Sequence, residues 1–360
     1  MDSNLPNQLK VVAEHVNGEV RKYFSEHLRI ARDIDPVFEE SLANIQTFVL
    51  RGGKRARSFL TWCAYRLTAT ENSSIYQVCT AVELHHFYLC TIDDMADRDT
   101  VRHGGPTLQQ VYRKQFAHLS QGEQEHKSRF MGEISAALIE NAALELLATA
   151  GFSAEKKQES LLHLLRIMTE QTAAGWLIHH DQNEEKLAET SEERFIRGLK
   201  HVTAFYTFVG LLYIGSTLAN VTPEIQKVLK EYGSVVGTAF QIYDDILGLF
   251  GDPKETGKSA ANDVKEGKKT LLLQRAHRAS TVEDKTFLEY ASGNHDLSED
   301  EIERVRNIVR KTGALEDVKK EAKQMVEEGK AALKQLQTSC DPEIICLLED
   351  VADFIIDRKN

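Results

Sequence analysis

Residues 315–336 read LEDVKKEAKQMVEEGKAALKQL, with Leu315, Val318, Ala322, Met325, Val326, Leu333 and Leu336 recurring every three or four positions. That spacing lays an apolar stripe along one side of a 3.6-residue helix and leaves the charges to the other sides. The period returns in Ile344, Leu347, Leu348, Val351, Phe354 and Ile355. Start signals agree. Ser298 with Glu301 forms a capping-box pattern ahead of Ile302, and Thr222-Pro223 and Asp341-Pro342 place proline in a first helical turn. No stretch alternates polar and apolar residues between turn signals, as a sheet requires. The chain therefore reads as all-α: a single domain over residues 1–360, with roughly a dozen helices around one core.

Composition supports this and narrows the partners. Six prolines and 21 glycines in 360 residues leave room for long uninterrupted helices. Hydrophobic residues at 42% and charged residues at 28% are an ordinary globular balance. A formal net charge of -11 argues against nucleic acid as a partner, although a cleft that gathers basic side chains or metal ions still takes an anion. Cys63, Cys79, Cys90, Cys340 and Cys346 show no metal-ligand spacing; their odd number and apolar surroundings predict reduced, buried thiols and a cytoplasmic protein. The polar stretch Met1 to Gln8 lacks the pattern of a signal peptide, and no apolar run is read as long enough to cross a bilayer. Breaks are expected at Gly52-Gly53, His103 to Thr107, Gln121 to Lys127, Gln182 to Ser191 and Gly251 to Gly267, with 114–129 an exposed insertion.

Three clusters carry the chemistry. Asp93 and Asp97 lie one helical turn apart, with Asp94 beside them, after the apolar run Val82 to Ile92. Crowded carboxylates repel, and divalent cations between them would make the arrangement reasonable. Alone, such a helix end is more often a solvated face. A second apolar run ends in Gln241-Ile242-Tyr243-Asp244-Asp245, followed by Gly257-Lys258, Asp263 and Gly267-Lys268. Two aspartate pairs on long helices, each followed by a loop with basic residues, make Asp93, Asp94, Asp97, Asp244 and Asp245 candidate metal ligands. Facing one another across a bundle, they would hold ions around a diphosphate, met also by Lys258 and Lys268. The third cluster, Gly52-Gly53-Lys54-Arg55-Ala56-Arg57, opens a helix whose N-terminal amides suit an anion.

With these residues in hand, the chain resembles the trans-isoprenyl diphosphate synthases over about residues 38–358. Gly52 to Arg57 matches that family's GGKxxR motif. Asp93 to Asp97 with Arg102-His103-Gly104-Gly105-Pro106-Thr107 matches the first aspartate-rich motif and its tail, and Phe240-Gln241 with Asp244-Asp245 matches the second. The resemblance implies an isoprenoid-synthase bundle around a central active-site cavity, and a homodimer. It implies three Mg²⁺ held by Asp93, Asp97 and Asp244 on an allylic prenyl diphosphate, with Arg102, Lys258 and Lys268 assisting and Gln241 lining the pocket. Isopentenyl diphosphate would sit on Lys54, Arg57, His86 and His103, placed for attack on the allylic cation.

Some positions depart from the family. His103 stands for a second arginine, which would weaken the isopentenyl diphosphate site or make it pH-dependent. Gly248 replaces the last aspartate of the second motif. Val202 replaces a lysine, leaving Thr203 and either Lys200 or His201 for the allylic diphosphate, and Gly175-Trp176-Leu177-Ile178-His179 stands for Gly-Gln-x-x-Asp. Tyr88, five residues before Asp93, is the bulky residue that in this family goes with a twenty-carbon product, so geranylgeranyl diphosphate is expected ahead of farnesyl diphosphate. Two other readings compete. A terpene cyclase has no second diphosphate for Lys54 and Arg57 to bind, and a non-catalytic partner subunit has no need of intact Asp93, Asp97 and Asp244.

Overall fold

The computed structural model of the protein describes residues 4–70, 72–251 and 262–357. The fold is all-α, with fifteen continuous helices among the described residues against the dozen expected. It divides into two compact units, residues 1–161 with 217–219 and residues 162–216 with 220–360.

In the first unit α1 (Leu5–Ile34), α2 (Pro36–Leu50), α3 (Ala56–Arg66) and α4 (Ser74–Ala96) precede a short hairpin, β1 (Val101–Arg102) and β2 (Gly105–Pro106). Then come α5 (Leu108–Gln115) and α6 (Gln121–Thr149). α4 is the central helix of this unit. Ile75, Val78, Cys79, Val82, Leu84 and Phe87 are all buried, so it has almost no polar face until its C-terminal end. The small residues Gly132, Ala136, Ala142 and Ala143 of α6 pack toward it; a side chain at Gly132 would strike the sulfur of Met95. α6 begins at Gln121, so the break read from Gln121 to Lys127 is instead a polar first turn. Most of 114–129 is exposed, as expected.

In the second unit α9 (Pro223–Phe250) is central, packed on α14 (Ala314–Leu333) and on the helix Glu192–Ala219. The predicted starts hold: Pro223 and Pro342 open helices, and the capping box at Ser298 is formed in both directions. Glu192–Ala219 is, contrary to the sequence reading, long and apolar enough to cross a membrane by length and composition. Most of its apolar stretch is buried inside the protein, which is the environment its composition serves here. Its middle, Lys200–Val209, is π-helical, as is Leu164–Thr169. That segment is gripped on two sides. A Cβ on Gly175 would strike the backbone of Val202, and one on Gly237 would come within 2.7 Å of Ala204 Cα. Bare glycines allow this approach, and alanine there would force the helices apart at a cost of about 1–3 kcal/mol each. All five cysteines are free thiols; Cys63, Cys79 and Cys90 are buried, but Cys346 is exposed, against expectation.

Candidate active site

The apolar sequence of α4 drives its burial, and that burial delivers carboxylates to its C-terminal end. Asp97 caps the helix; Arg98 follows in the left-handed region at φ 55°, and the Asp99 amide reaches back to the Asp94 carbonyl at 2.9 Å. Asp93, Asp94 and Asp97 thus gather at the negative end of the helix dipole, with no basic residue in the last turn. They need cations from elsewhere, and the hairpin supplies one. His103 and Gly104, at φ 50° and 68°, form the mirror-image turn that a two-residue hairpin requires. The turn directs Arg102 onto α4, where its Nε donates to Asp94 Oδ1 at 2.6 Å and its Nη2 lies 3.5 Å from Asp93 Oδ2.

The two neighbouring aspartates therefore differ. Asp94 is 2% exposed, and burial pushes its pKa up to about 6 against the opposing pull of Arg102; among the described residues no hydrogen-bond donor reaches its Oδ2. Asp93 and Asp97 are half-buried.

The GGKxxR segment divides in the same way. Lys54 is exposed. Arg55, with φ 53°, turns inward and is buried, its guanidinium bonded to Asn17 Oδ1 at 2.8 Å, to the Val49 carbonyl at 2.7 Å and to Glu83 Oε1 at 3.4 Å. Glu83 also accepts from Ser58 Oγ at 2.9 Å. This buried pair fixes the start of α3, and breaking it would strand a charge. The sequence reading passed over Glu83, although a lone carboxylate inside an apolar run is a signal for a buried partner. Arg57 Nη1 donates to His86 Nε2 at 3.2 Å, so His86 carries its proton on Nδ1; burial, then Arg57 and Arg102, hold it neutral. His103 packs its ring over Gly52, where any side chain would collide. Burial and the nearby arginines push its pKa down to about 4. Tyr88 is half-buried, its ring 5.7 Å from that of His85, whose Nδ1 lies 2.7 Å from Glu140.

In the second unit a chain of bonds crosses α9. Thr203 Oγ1 donates to Gln241 Oε1 at 2.5 Å, Gln241 Nε2 donates to Asp245 Oδ1 at 2.9 Å, and Lys268 Nζ lies 3.3 Å from the same oxygen and 3.5 Å from Asp263 Oδ1. Asp245 is buried, and burial raises its pKa while Lys268 opposes the rise; Asp244 is half-buried. The pattern of the first pair recurs: one aspartate is half-buried, and its neighbour is buried and bonded to a basic side chain. Lys258, Gly257 and Asp252 lie outside the described residues. Trp176 is half-buried, Lys200 is exposed, and His201 Nδ1 is committed to Gln171 Oε1 at 2.7 Å.

His179 is buried against the Phe195 ring and donates from Nε2 to the Phe195 carbonyl at 3.4 Å, in space that Gly198 leaves open. Burial, then Lys268, push its pKa down to about 4. A depressed folded pKa gives stability that is present above the unfolded value of about 6.5 and lost as pH falls toward 4. Between pH 7 and pH 5 this histidine should remove up to about 2 kcal/mol. His179→Gln, which keeps a donor for Phe195, should shrink the difference in urea stability between those two pH values; an unchanged difference would contradict the assignment.

Among the described residues no three His, Cys, Asp or Glu side chains close into a metal cage. The hard carboxylate oxygens on α4, and likewise those on α9, suit Mg²⁺, which is commonly held by one or two protein ligands with substrate phosphates completing the shell.

Comparison with known proteins gives the family. The polyprenyl synthetase family model matches residues 39–309. A geranylgeranyl diphosphate synthase of Saccharolobus solfataricus is 32% identical over 260 residues, covering 72% of this chain and 73% of that protein. One from Methanosarcina mazei is 27% identical over 356 residues, covering 99% of this chain and 98% of that one. The structure of geranylgeranyl pyrophosphate synthase from Corynebacterium glutamicum, complexed with isoprenyl diphosphate and magnesium, superposes with a TM-score of 0.89 at 27% identity, covering 98% of this chain and 99% of that one. The chain belongs to the polyprenyl synthetase family, and it is a trans-prenyltransferase.

Proposed function

We propose that this protein condenses isopentenyl diphosphate with an allylic diphosphate, using three Mg²⁺, to give geranylgeranyl diphosphate. The observation that carries this reading is the repeated division of each aspartate pair into one half-buried carboxylate and one buried carboxylate bonded to a basic side chain. The half-buried Asp93, Asp97 and Asp244 are the metal ligands; Asp94 and Asp245 hold Arg102 and Lys268 in place for the departing diphosphate. When bound, the ions supply positive charge to the leaving group as the allylic bond breaks. Arg102 and Lys268 add to this from positions already fixed before reaction. Lys54 and Arg57 take the diphosphate of the second substrate, and neutral His86 accepts from Arg57 and so keeps its guanidinium in place. Released diphosphate takes the proton lost from the new chain.

Arg57 and His86 set side by side, with Lys54 exposed, favour chain elongation over cyclisation, since a cyclase has no second diphosphate to hold. The relatives' names favour the twenty-carbon product. The test is purified protein with Mg²⁺, isopentenyl diphosphate and allylic diphosphates of each length, products identified by mass. Hydrocarbon or alcohol products would support a cyclase, and no turnover without another chain would support a partner subunit. Tyr88→Ala should lengthen the product by one or more five-carbon units, since Tyr88 lies about 7.5 Å along α4 from Asp93. An unchanged product distribution would remove Tyr88 as the end of the pocket.

A homodimer is part of the proposal. Phe130 and Ile134, one turn apart on α6, are 55% and 45% exposed, an apolar strip that a second copy would cover. A monomeric mass in sedimentation would dismiss it. The free cysteines agree with a cytoplasmic location, which localisation of the tagged chain would check.

A further inference from the structure

We propose that Asp263 is a positioning residue for Lys268, and that its carboxylate stands where Gly248 leaves the face of α9 bare. Gly248 is four residues after Asp244 and three after Asp245, so it lies one turn along the same face. A Cβ there would lie 2.7 Å from Asp263 Oδ2 and 3.5 Å from its Cγ. The carboxylate thus rests against backbone that has no side chain. Its other oxygen, Oδ1, is 3.5 Å from Lys268 Nζ, and Asp245 Oδ1 is 3.3 Å away.

The loop is folded to bring this about. The Lys268 amide donates to the Asp263 carbonyl at 2.9 Å and the Glu266 amide to Asn262 at 2.8 Å, with Gly267 between them at φ 74°. Asp263 and Lys268 are therefore parts of one tight turn, which lays the ammonium between two carboxylates, one on α9 and one on the turn. The carboxylate that the second motif lacks on the helix is supplied from the loop. Restoring aspartate at 248 would then place two like charges in a space that holds one.

The inference rests on the proposed contact of Lys268 with the diphosphate, so the experiment separates the two. Gly248→Asp, Asp263→Ala, Asp263→Asn, Lys268→Ala and the double variant Gly248→Asp/Asp263→Ala are compared in the full chain. Binding of inorganic pyrophosphate with Mg²⁺ is measured by calorimetry, and KM and kcat with the allylic substrate. Gly248→Asp and Asp263→Ala should each weaken pyrophosphate binding by about tenfold and raise KM more than they lower kcat. The double variant should return to within about threefold of the parent, because one carboxylate again stands between α9 and Lys268. Asp263→Asn, which keeps the shape, should fall between, and serves if the alanine variant does not fold. A Gly248→Asp protein that binds as well as the parent, or a double variant no better than its worse single, would overturn the proposal. Lys268→Ala without effect would overturn the diphosphate contact and the positioning role with it. A weakened Lys268→Ala beside unaffected Gly248→Asp and Asp263→Ala would overturn the positioning role alone.

Discussion

Replacing Arg102 with leucine is expected to lower kcat/KM on the order of a thousandfold and to cost stability by about 3–5 kcal/mol. The activity loss follows from its place between Asp94 and Asp93, where its guanidinium is fixed beside the proposed metal ligands. The stability loss has a separate cause. Asp94 is 2% exposed, and without the guanidinium its charge would be buried unpaired. Asp94 already has its pKa pushed up to about 6, and losing Arg102 would raise it further. A carboxyl whose folded pKa lies above its unfolded value contributes stability below the unfolded value, and that stability is lost as pH rises through the folded one. The cost of Arg102→Leu should therefore be small near pH 4 and full near pH 8, read by urea denaturation. Adding Asp94→Asn should recover most of the stability and none of the activity. An equal cost at both pH values would contradict the pairing.

The helices were legible because the apolar period of three and four is strong in this chain, and the motif residues were legible because they sit where that period breaks. What the period could not show is which member of a pair turns inward. Asp93 and Asp94 are adjacent and chemically alike; the hairpin that commits Asp94 to Arg102 depends on His103 and Gly104 adopting positive φ. Arg55 stands between the two candidate diphosphate ligands Lys54 and Arg57, and only its left-handed backbone, which points it at Glu83 and Asn17, tells it from them. At Val202 the limit is the backbone itself. Ten residues of π-helix from Lys200 to Val209 shift the register, so the direction of a side chain there does not follow from counting at 3.6 residues per turn. The membrane-length apolar stretch at Glu192–Ala219 was missed because it is broken by Lys200 and His201, and the structure buries most of it.

The half-buried and the buried aspartate of α9 should separate in their response to Mg²⁺. Asp244→Asn removes a half-buried ligand and is expected to lower kcat/KM on the order of a thousandfold, with a higher Mg²⁺ concentration needed for half-maximal rate. Asp245→Asn acts elsewhere. The new amide still accepts from Gln241, which now donates to Asp245 Oδ1 at 2.9 Å, but it loses the charge that holds Lys268 at 3.3 Å. Removing such a supporting partner typically costs about 10- to 100-fold in activity. The Mg²⁺ dependence should stay near that of the parent, because the lost interaction is with an ammonium rather than with a metal ligand. Burial works in the variant's favour, since an amide in that position has no charge to desolvate, so its stability should not fall as its activity does. Titrating initial rate against Mg²⁺ for both variants decides the matter. If Asp245→Asn moves the Mg²⁺ midpoint as far as Asp244→Asn does, both aspartates coordinate ions, and the division between a half-buried ligand and a buried anchor for Lys268 is wrong.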